Sequence, residues 1–295
     1  MQDLPGGEGA IWLQVEKTRL NTAHVAAHLA QFLGLPEHEI GHAGLKDRAA
    51  VTVQWFSVPS HARHSAIPMG EAINATAWGE YRVLGQHPAP GKLRPGDHDG
   101  NRFRLRIRAC RGDRSALAAR LETIRAEGVP NYFERQRFGQ GEENLRRARI
   151  WLARRRLPRG RLRGFVVGAA RAWVFNHVLA HRVLSDNWNE TLAGEPCPEP
   201  SGPLWGRGSN PARQETAGTE WRALRDLQAW LDGLERSGSR FDRRPLISRP
   251  RDLRWTFESE DCLLAFDLEP GEYATNVLAH CFGDLREARC GGWHL

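Results

Sequence analysis

The sequence has little of several things that would place it in other protein classes. It has no apolar run near the roughly 18 residues of a membrane span, and its first residues lack the basic and apolar regions of a secretory signal. Its five cysteines are scattered, odd in number and never in a Cys-x-x-Cys pair. This excludes a disulfide framework and a cysteine-based zinc site, and it favours reduced thiols in the cytoplasm.

Lysine is also scarce, because only three of the 42 basic residues are lysines. Between residues 101 and 163 there are 19 arginines, no lysine and 6 acidic residues. The net charge of +7 is therefore concentrated in one zone of the chain. Such a zone is typical of nucleic-acid binders, although an arginine-rich solvated surface is the alternative interpretation.

One segment of this zone alternates strictly between apolar and basic residues. Residues 101–110 read NRFRLRIRAC, which predicts a half-buried strand with arginines on its outer face. The four arginines are Arg102, Arg104, Arg106 and Arg108. Guanidinium groups spaced two residues apart on one face repel each other unless anions neutralise them. RNA phosphates would do so, and so would carboxylates on a neighbouring strand; we favour phosphate.

The most informative stretch is GHAGLKDR at residues 41–48, where Asp47 stands between two cations in a glycine-bearing turn. A strand-like run follows it at residues 51–57. Neighbouring positive charge keeps a carboxylate ionised, and an ionised, positioned carboxylate can act as a nucleophile or base. From these residues alone, a solvated turn is the more ordinary interpretation.

Metal chemistry has no support in the sequence. Two histidine pairs have the helical spacing of zinc ligands, His24 with His28 and His177 with His181. Neither pair has the glutamate of the zincin pattern, and no third ligand is evident. We interpret them as ordinary helix histidines and expect no metal.

The remaining patterns predict a mixed α+β protein whose 295 residues exceed one usual core. We expect strands at 10–16, 51–58, 75–84, 253–258 and 262–268, and a turn at 87–91. We expect helices from Thr22 to about Gly34, from 113 to 127, and at 142–156, 164–184, 219–236 and 271–282, with a loop at 195–214. Strands that resume after a helical middle favour a sheet-based domain interrupted by an inserted one.

Two long motifs in fixed order give a resemblance to a known family. The aspartate stretch and VPNYFERQRFG at residues 129–139 resemble the paired signature of the TruD family of tRNA pseudouridine synthases. The stretches GEG at 7–9, NT at 21–22 and EPGEYATNV at 269–277 also stand in the family's order. The resemblance therefore covers nearly the whole chain.

The resemblance implies a pseudouridine synthase fold, with an antiparallel-rich mixed sheet interrupted by the family's own α/β insertion. On this basis the catalytic domain comprises residues 1–154 and 249–295, and residues 155–248 form the insertion. The implied activity is isomerisation of uridine 13 of tRNA to pseudouridine, without cofactor or metal. The implied partner is tRNA, with neither a membrane nor a protein partner.

Matched position by position, the resemblance makes Asp47 the catalytic aspartate. It makes Asn131 the residue that contacts the uridine and Phe133 the aromatic that packs against the flipped-out base. Tyr273 stands where the family usually has a phenylalanine; tyrosine keeps the stacking face and adds a hydroxyl that needs a partner.

The family usually has a further segment, ahead of the GEG stretch, that supplies a basic residue and a phenylalanine to the site. We expect either a start upstream of Met1 or supporting cations from Lys46 and Arg48. Two alternatives to an active enzyme remain. One is a tRNA-binding protein of the same fold with impaired catalysis, and the other is an unrelated basic α+β nucleic-acid-binding module.

Overall fold

The protein is represented by a computed structural model that describes residues 6–62, 67–76, 79–154 and 157–282. These residues fall into two compact units, with the division between Asp99 and Gly100. The predicted domain boundaries at 154/155 and 248/249 follow a different principle, the family's insertion, and they stay a prediction.

The first unit is a five-stranded sheet covered by one helix. Its elements are β1 (Ala10–Thr18), α1 (Thr22–Leu33), β2 (Gly41–His42), β3 (Thr52–Pro59), β4 (Ile73–Thr76) and β5 (Gly79–Ala89). The strand order is β2-β3-β1-β5-β4, and every pair is antiparallel. The inward residues of β1, such as Leu13 and Val15, pack against Val25 and Leu29 of α1. As predicted, α1 ends at Gly34, which has the left-handed φ of 67° that glycine adopts without strain.

The predictions for residues 75–91 were partly wrong. The single strand expected at 75–84 is an antiparallel pair, β4 and β5. The turn expected at 87–91 begins only after Ala89, because β5 continues through Pro88, which pairs with Ile11 of β1. The register of β4 reaches only residues 79–81 of β5. β4 therefore does not pair with Pro88, and the lack of an N–H on this proline costs no hydrogen bond to β4.

The second unit begins with a three-stranded antiparallel sheet in the order β11-β12-β6. It is built from β6 (Asn101–Ile107), β11 (Arg251–Glu258) and β12 (Asp261–Leu268), and two helices cluster with it, α2 (Arg114–Glu127) and α8 (Ala274–Phe282). The predicted cap of α2 is confirmed, since Asp113 Oδ1 accepts the N–H of Ser115 at 2.8 Å. Phe103 and Leu105 of β6 are partly buried and pack against the core that contains Phe266 and Leu121, so the apolar face of the alternating pattern faces this core.

The helical part of the second unit lies in sequence between these strands. Its elements are β7 (Val129–Pro130), α3 (Arg135–Phe138), α4 (Glu143–Arg154), α5 (Arg161–Leu184), β8 (Ser201–Leu204), α6 (Gln214–Leu224), α7 (Gln228–Arg236), β9 (Asp242–Pro245) and β10 (Ile247–Ser248). The long α5 is the centre, because its buried face contacts α4, β8, α6 and α7.

Two predictions for this part needed correction. The predicted loop at 195–214 contains β8, which pairs with β9 although both are rich in residues that are poor strand formers. The predicted helix at 219–236 is two helices, α6 and α7, joined by a 3₁₀ turn at Arg225–Leu227. Tertiary pairing and packing override the local propensities at both places.

Candidate active site

The loop that carries Asp47 is held by hydrogen bonds from buried polar side chains on three different elements. Thr22 of α1 accepts the N–H of Lys46 at 3.0 Å and donates to Gln54 of β3 at 3.0 Å. Gln54 in turn donates to the Gly44 carbonyl at 3.3 Å. Buried polar groups that are fully paired in this way hold a loop in one conformation.

The third support is Lys17 at the end of β1. Its Nζ donates to the main-chain carbonyl of Asp47 at 2.7 Å, and the residue is only 1% exposed. Burial lowers the pKa of Lys17 to about 8; the charge of Asp47 opposes this shift and that of Lys46 adds to it. Lys17 was not among the residues singled out from the sequence. The sequence did contain a signal for it, because Lys17 continues the every-second-residue pattern of Leu13 and Val15, which face the core.

The two cations predicted to support Asp47 differ in the structure. Burial lowers the pKa of Lys46 and the charge of Asp47 opposes that shift, so these two side chains interact. Arg48 is exposed, and it makes no hydrogen bond or ion pair with any residue that the structure describes. Asp47 is itself exposed, as a group that meets a substrate must be.

The start of the loop needs glycine for a steric reason. A Cβ on Gly41 would lie 2.3 Å from Ser57 Oγ and 2.4 Å from the Leu93 carbonyl. Ser57 Oγ accepts the N–H of Leu93 at 2.9 Å, so neither neighbour can move freely. The glycine of the motif therefore lets β2 lie against β3 at the entry to the aspartate loop.

A second group of predicted residues lies in the second unit, around Phe133. The Phe133 ring is edge-on to Phe175, with centroids 5.4 Å apart, and to Tyr273 at 6.5 Å. One side chain of α5, Asn176, accepts the Phe133 N–H and donates to its carbonyl, both at 2.9 Å. The position of the ring is thus fixed both by the hydrogen bonds of Asn176 to the Phe133 backbone and by the neighbouring aromatic rings.

Asn131 is 2% exposed and its amide is used within the protein. Its Nδ2 donates to the Pro245 carbonyl at 3.0 Å, and its Oδ1 accepts from the Arg244 guanidinium. Its backbone N–H donates to Leu246 at 2.8 Å. The predicted contact of Asn131 with uridine stays a prediction, and it has to use the remaining donor or acceptor capacity of the amide.

Arg244 of β9 links the predicted residues of this unit, and the sequence analysis missed it. Its Cζ lies 4.1 Å from the Phe133 ring centroid, and Nη2 donates to the Gly271 carbonyl at 2.9 Å, two residues before Tyr273. Burial lowers the pKa of Arg244 to about 10, against the opposing effect of Tyr273. Nothing in the local sequence distinguishes Arg244 from the other arginines, because its partners are far away along the chain. Asn131 is 113 residues from Arg244, and Gly271 is 27 residues from it.

The arginine strand is β6, as predicted, and its outer face is exposed. At two positions the structure shows the alternative to phosphate, a carboxylate on the neighbouring strand, and the contact with phosphate stays a prediction. Arg102 binds both carboxylate oxygens of Asp267, at 2.8 and 2.7 Å, and Arg106 binds Asp261 at 2.6 Å. Both aspartates are on β12, the neighbouring strand. Asp267 is the register partner of Arg102, whereas Asp261 is two residues from Leu263, the register partner of Arg106.

The other two arginines of the alternating segment, Arg104 on β6 and Arg108 directly after it, differ from this pattern. The charge of Arg108 acts on Asp261, lowering the pKa of that carboxyl together with the stronger contribution of Arg106. Arg104 makes no hydrogen bond or ion pair within the described ranges. It is opposite Ala265 of β12, and Ala265 is opposite Arg254 of β11 on its other side. Arg104 and Arg254 therefore flank a small apolar residue, and the charge of Arg254 also acts on Asp267.

The histidine pairs interpreted as ordinary helix residues make ordinary contacts. His28 Nδ1 lies 3.0 Å from the Tyr81 hydroxyl, and His177 Nδ1 lies 2.9 Å from the Trp173 carbonyl. The residues that the structure describes contain no cluster of three or more His, Cys, Asp or Glu side chains suited to a metal ion. They also contain no helix with the length and apolar character needed to span a bilayer.

Comparison with known proteins gives consistent likenesses. Residues 2–147 match the family model described as tRNA pseudouridine synthase D (TruD). The tRNA pseudouridine synthase D of Nitrosococcus oceani is 38% identical over 94% of this chain and 86% of its own. That of Cellvibrio japonicus is 40% identical over 93% of this chain and 82% of its own.

A solved structure supports the fold. The crystal structure titled putative tRNA pseudouridine synthase D (TruD) from Methanosarcina mazei has a TM-score of 0.66 and 20% identity. The match covers 95% of this chain and 90% of that one. The predicted α+β class with antiparallel sheets is confirmed by this likeness and by the strand pairing described above.

Proposed function

Since the chain belongs to the TruD family of tRNA pseudouridine synthases, we propose that it isomerises uridine 13 of tRNA to pseudouridine, with Asp47 as the catalytic carboxylate. The observation that carries this proposal is the support of the Asp47 loop. An exposed aspartate on a loop held by buried Lys17, Thr22 and Gln54 is a positioned carboxylate, which a solvated turn does not require.

The reaction asks three things of the protein. The C1′–N1 bond of the uridine breaks, the detached base turns, and a C1′–C5 bond forms while the C5 proton is lost and N1 gains one. A carboxylate either attacks the nucleoside or removes the 2′ proton, and Asp47 is the group for either route. The base must also be held in a pocket from which it cannot escape.

The group around Phe133 is our candidate for that pocket. A stacked base is unreachable, so the uridine has to be flipped out and held by its face and its edge. Phe133 and Tyr273 supply aromatic surfaces, and Asn131 supplies an amide. Arg244 fixes the amide and covers part of the Phe133 ring, so a base would use the remaining part.

Binding to tRNA would come mainly from phosphates and 2′-hydroxyls. Among the candidate arginines, Arg104 is exposed and its side chain makes no ion pair with the described residues, so it is our first candidate for a phosphate contact. The predicted place of action is the cytoplasm, where the scattered cysteines stay reduced.

The proposal is tested with Asp47→Asn, assayed on an unmodified tRNA transcript with a chemical probe that maps pseudouridine. We expect wild-type protein to modify position 13 alone, and the variant to give no product while its tRNA affinity stays within about threefold, or under ~1 kcal/mol. Asp226→Asn is the matched control, because Asp226 is a strongly exposed carboxylate in the turn after α6.

Three outcomes contradict parts of the proposal. A product at another uridine removes the assignment of position 13. Near wild-type activity of Asp47→Asn removes the catalytic role of that residue. Tight tRNA binding by the wild-type protein with no product at all identifies a binding protein of the same fold instead.

A further inference from the structure

Lys17 is an unusual residue for the interior of this protein. It follows Leu13 and Val15 on the core-facing side of β1, and all three are buried. An ammonium group loses its hydration when it is buried, which is costly unless the site uses the charge. A methionine or leucine would fill the same position at lower cost, so the lysine requires an explanation.

The charged and titratable groups around the Lys17 ammonium group come from the aspartate loop, β3, β5 and α1. The aspartate loop contributes Asp47, whose carbonyl accepts from Nζ at 2.7 Å, and the like charge of Lys46. The partner on β3 is Thr52, which carries no charge. The partner on β5 is Tyr81, whose hydroxyl is bonded to His28 of α1 and whose pKa burial raises to about 12, so it stays neutral.

We propose that Lys17 is a positioning residue for the reaction, holding the backbone of Asp47 through its ammonium group and placing a positive charge beside the carboxylate. This inference rests on the proposed function of Asp47 as the catalytic carboxylate. A single side chain then performs two tasks. Its hydrogen bond fixes the position of the Asp47 backbone, and its positive charge attracts the negative carboxylate.

The proposal predicts a particular pH dependence. The pKa of Lys17 is about 8, so its charge is present below that pH and is lost above it. The catalytic contribution of Lys17 therefore has to decline as pH rises through 8. In Lys17→Met the contribution is absent at every pH, so the ratio of the wild-type kcat to the variant kcat should be largest at low pH.

The test compares Lys17→Met and Lys17→Arg with wild type between about pH 6.5 and 9.5. At pH 7 we expect Lys17→Met to lower kcat at least about tenfold, with KM and tRNA Kd within threefold. The tenfold ratio should fall above pH 8 and stay above one, because the neutral amine still donates its hydrogen bond to the Asp47 carbonyl. Lys17→Arg keeps its charge across this range, so we expect it to restore part of kcat and to remove the decline in ratio near pH 8.

Lys92→Met is the matched control. Lys92 is an exposed lysine of the same unit, and its Nζ also donates to a main-chain carbonyl, that of His38. Its removal should leave kcat and its pH dependence within about twofold of wild type. A loss equal to that of Lys17→Met would mean that any lysine anchor of this unit has the same effect, and it would overturn the proposal.

A readout that needs no turnover separates this inference from the proposed function. Hydrogen exchange of the amides at residues 42–48 should accelerate at least about tenfold in Lys17→Met, with the amides of β1 and β5 unchanged. Unchanged exchange at 42–48 would overturn the positioning role, and a kcat ratio that does not vary with pH would overturn the role of the Lys17 charge. If the wild-type protein forms no pseudouridine, the proposed function fails, and the exchange experiment still decides whether Lys17 positions the loop.

Discussion

The arginines on the outer sheet face of the second unit provide a sharp test of how this protein binds RNA. Arg104 and Arg254 lie on either side of Ala265, on neighbouring strands of one sheet. Strand spacing places their Cα atoms about 10 Å apart. Arg102, by contrast, is bound through two hydrogen bonds to Asp267. We expect the first two to contact phosphates and Arg102 to contribute little.

The expected size follows from counterion release. Each arginine that neutralises a phosphate adds roughly 0.7–0.9 to the slope of log affinity against log salt. Replacing both Arg104 and Arg254 with Gln should therefore flatten the slope by about 1.4–1.8. Over a fourfold rise in salt, the wild-type protein should lose roughly tenfold more affinity for tRNA than this double variant loses.

The control removes an ion pair without changing the net charge. Arg102→Gln combined with Asp267→Asn deletes the ion pair between β6 and β12, and exposed ion pairs contribute little to stability. Its salt slope should equal that of wild type. Fluorescence titration of tRNA at four or five salt concentrations measures all three slopes. Equal slopes in the two double variants would refute the reasoning that Arg104 and Arg254, whose side chains make no ion pair within the described residues, are the phosphate contacts.

Two adjacent arginines of β9 should give opposite kinds of defect. Arg243 is 7% exposed in its side chain and is paired with Glu220 at 2.7 Å and Glu195 at 3.4 Å. Arg243→Met leaves buried carboxylates unpaired and should cost about 3–5 kcal/mol of unfolding free energy, measured by urea denaturation; a cost below about 1 kcal/mol would contradict this. Arg244→Met keeps much of the side-chain volume but loses the bonds to Asn131 and Gly271. It should cost about 1–3 kcal/mol and lower kcat/KM at least tenfold, and normal kcat/KM would exclude it from the uridine pocket.

The contrast between these two arginines follows from the geometry of a strand, in which successive side chains point to opposite faces. Arg243 closes a buried ionic network with Glu195 and Glu220 in the helical part of the second unit. Arg244 reaches Asn131, Phe133 and the turn before Tyr273. The packing of the helical part therefore sets the position of a residue beside the candidate pocket.

The sequence by itself determined the features that depend on neighbours along the chain. Alternation gave β6 and its exposed arginines, and the signals at Asp113 and Gly34 gave a helix start and a helix end. The two long motifs gave the family, which the likeness to curated relatives confirms. Each of these signals is complete within about a dozen residues, so no knowledge of the fold was needed.

Only the tertiary structure decided which charges meet. Arg102 and its partner Asp267 are 165 residues apart in sequence, and Arg244 and Asn131 are 113 apart. The register of β6 and β12 brings Arg102 to Asp267, and β9 in the helical part of the second unit places Arg244 beside Asn131. The same cause explains Lys17, which looked like any surface lysine until β1, α1 and β3 enclosed it beneath the Asp47 loop. A charged side chain acquires its role from groups that the fold brings to it, and those groups have no fixed distance from it along the sequence.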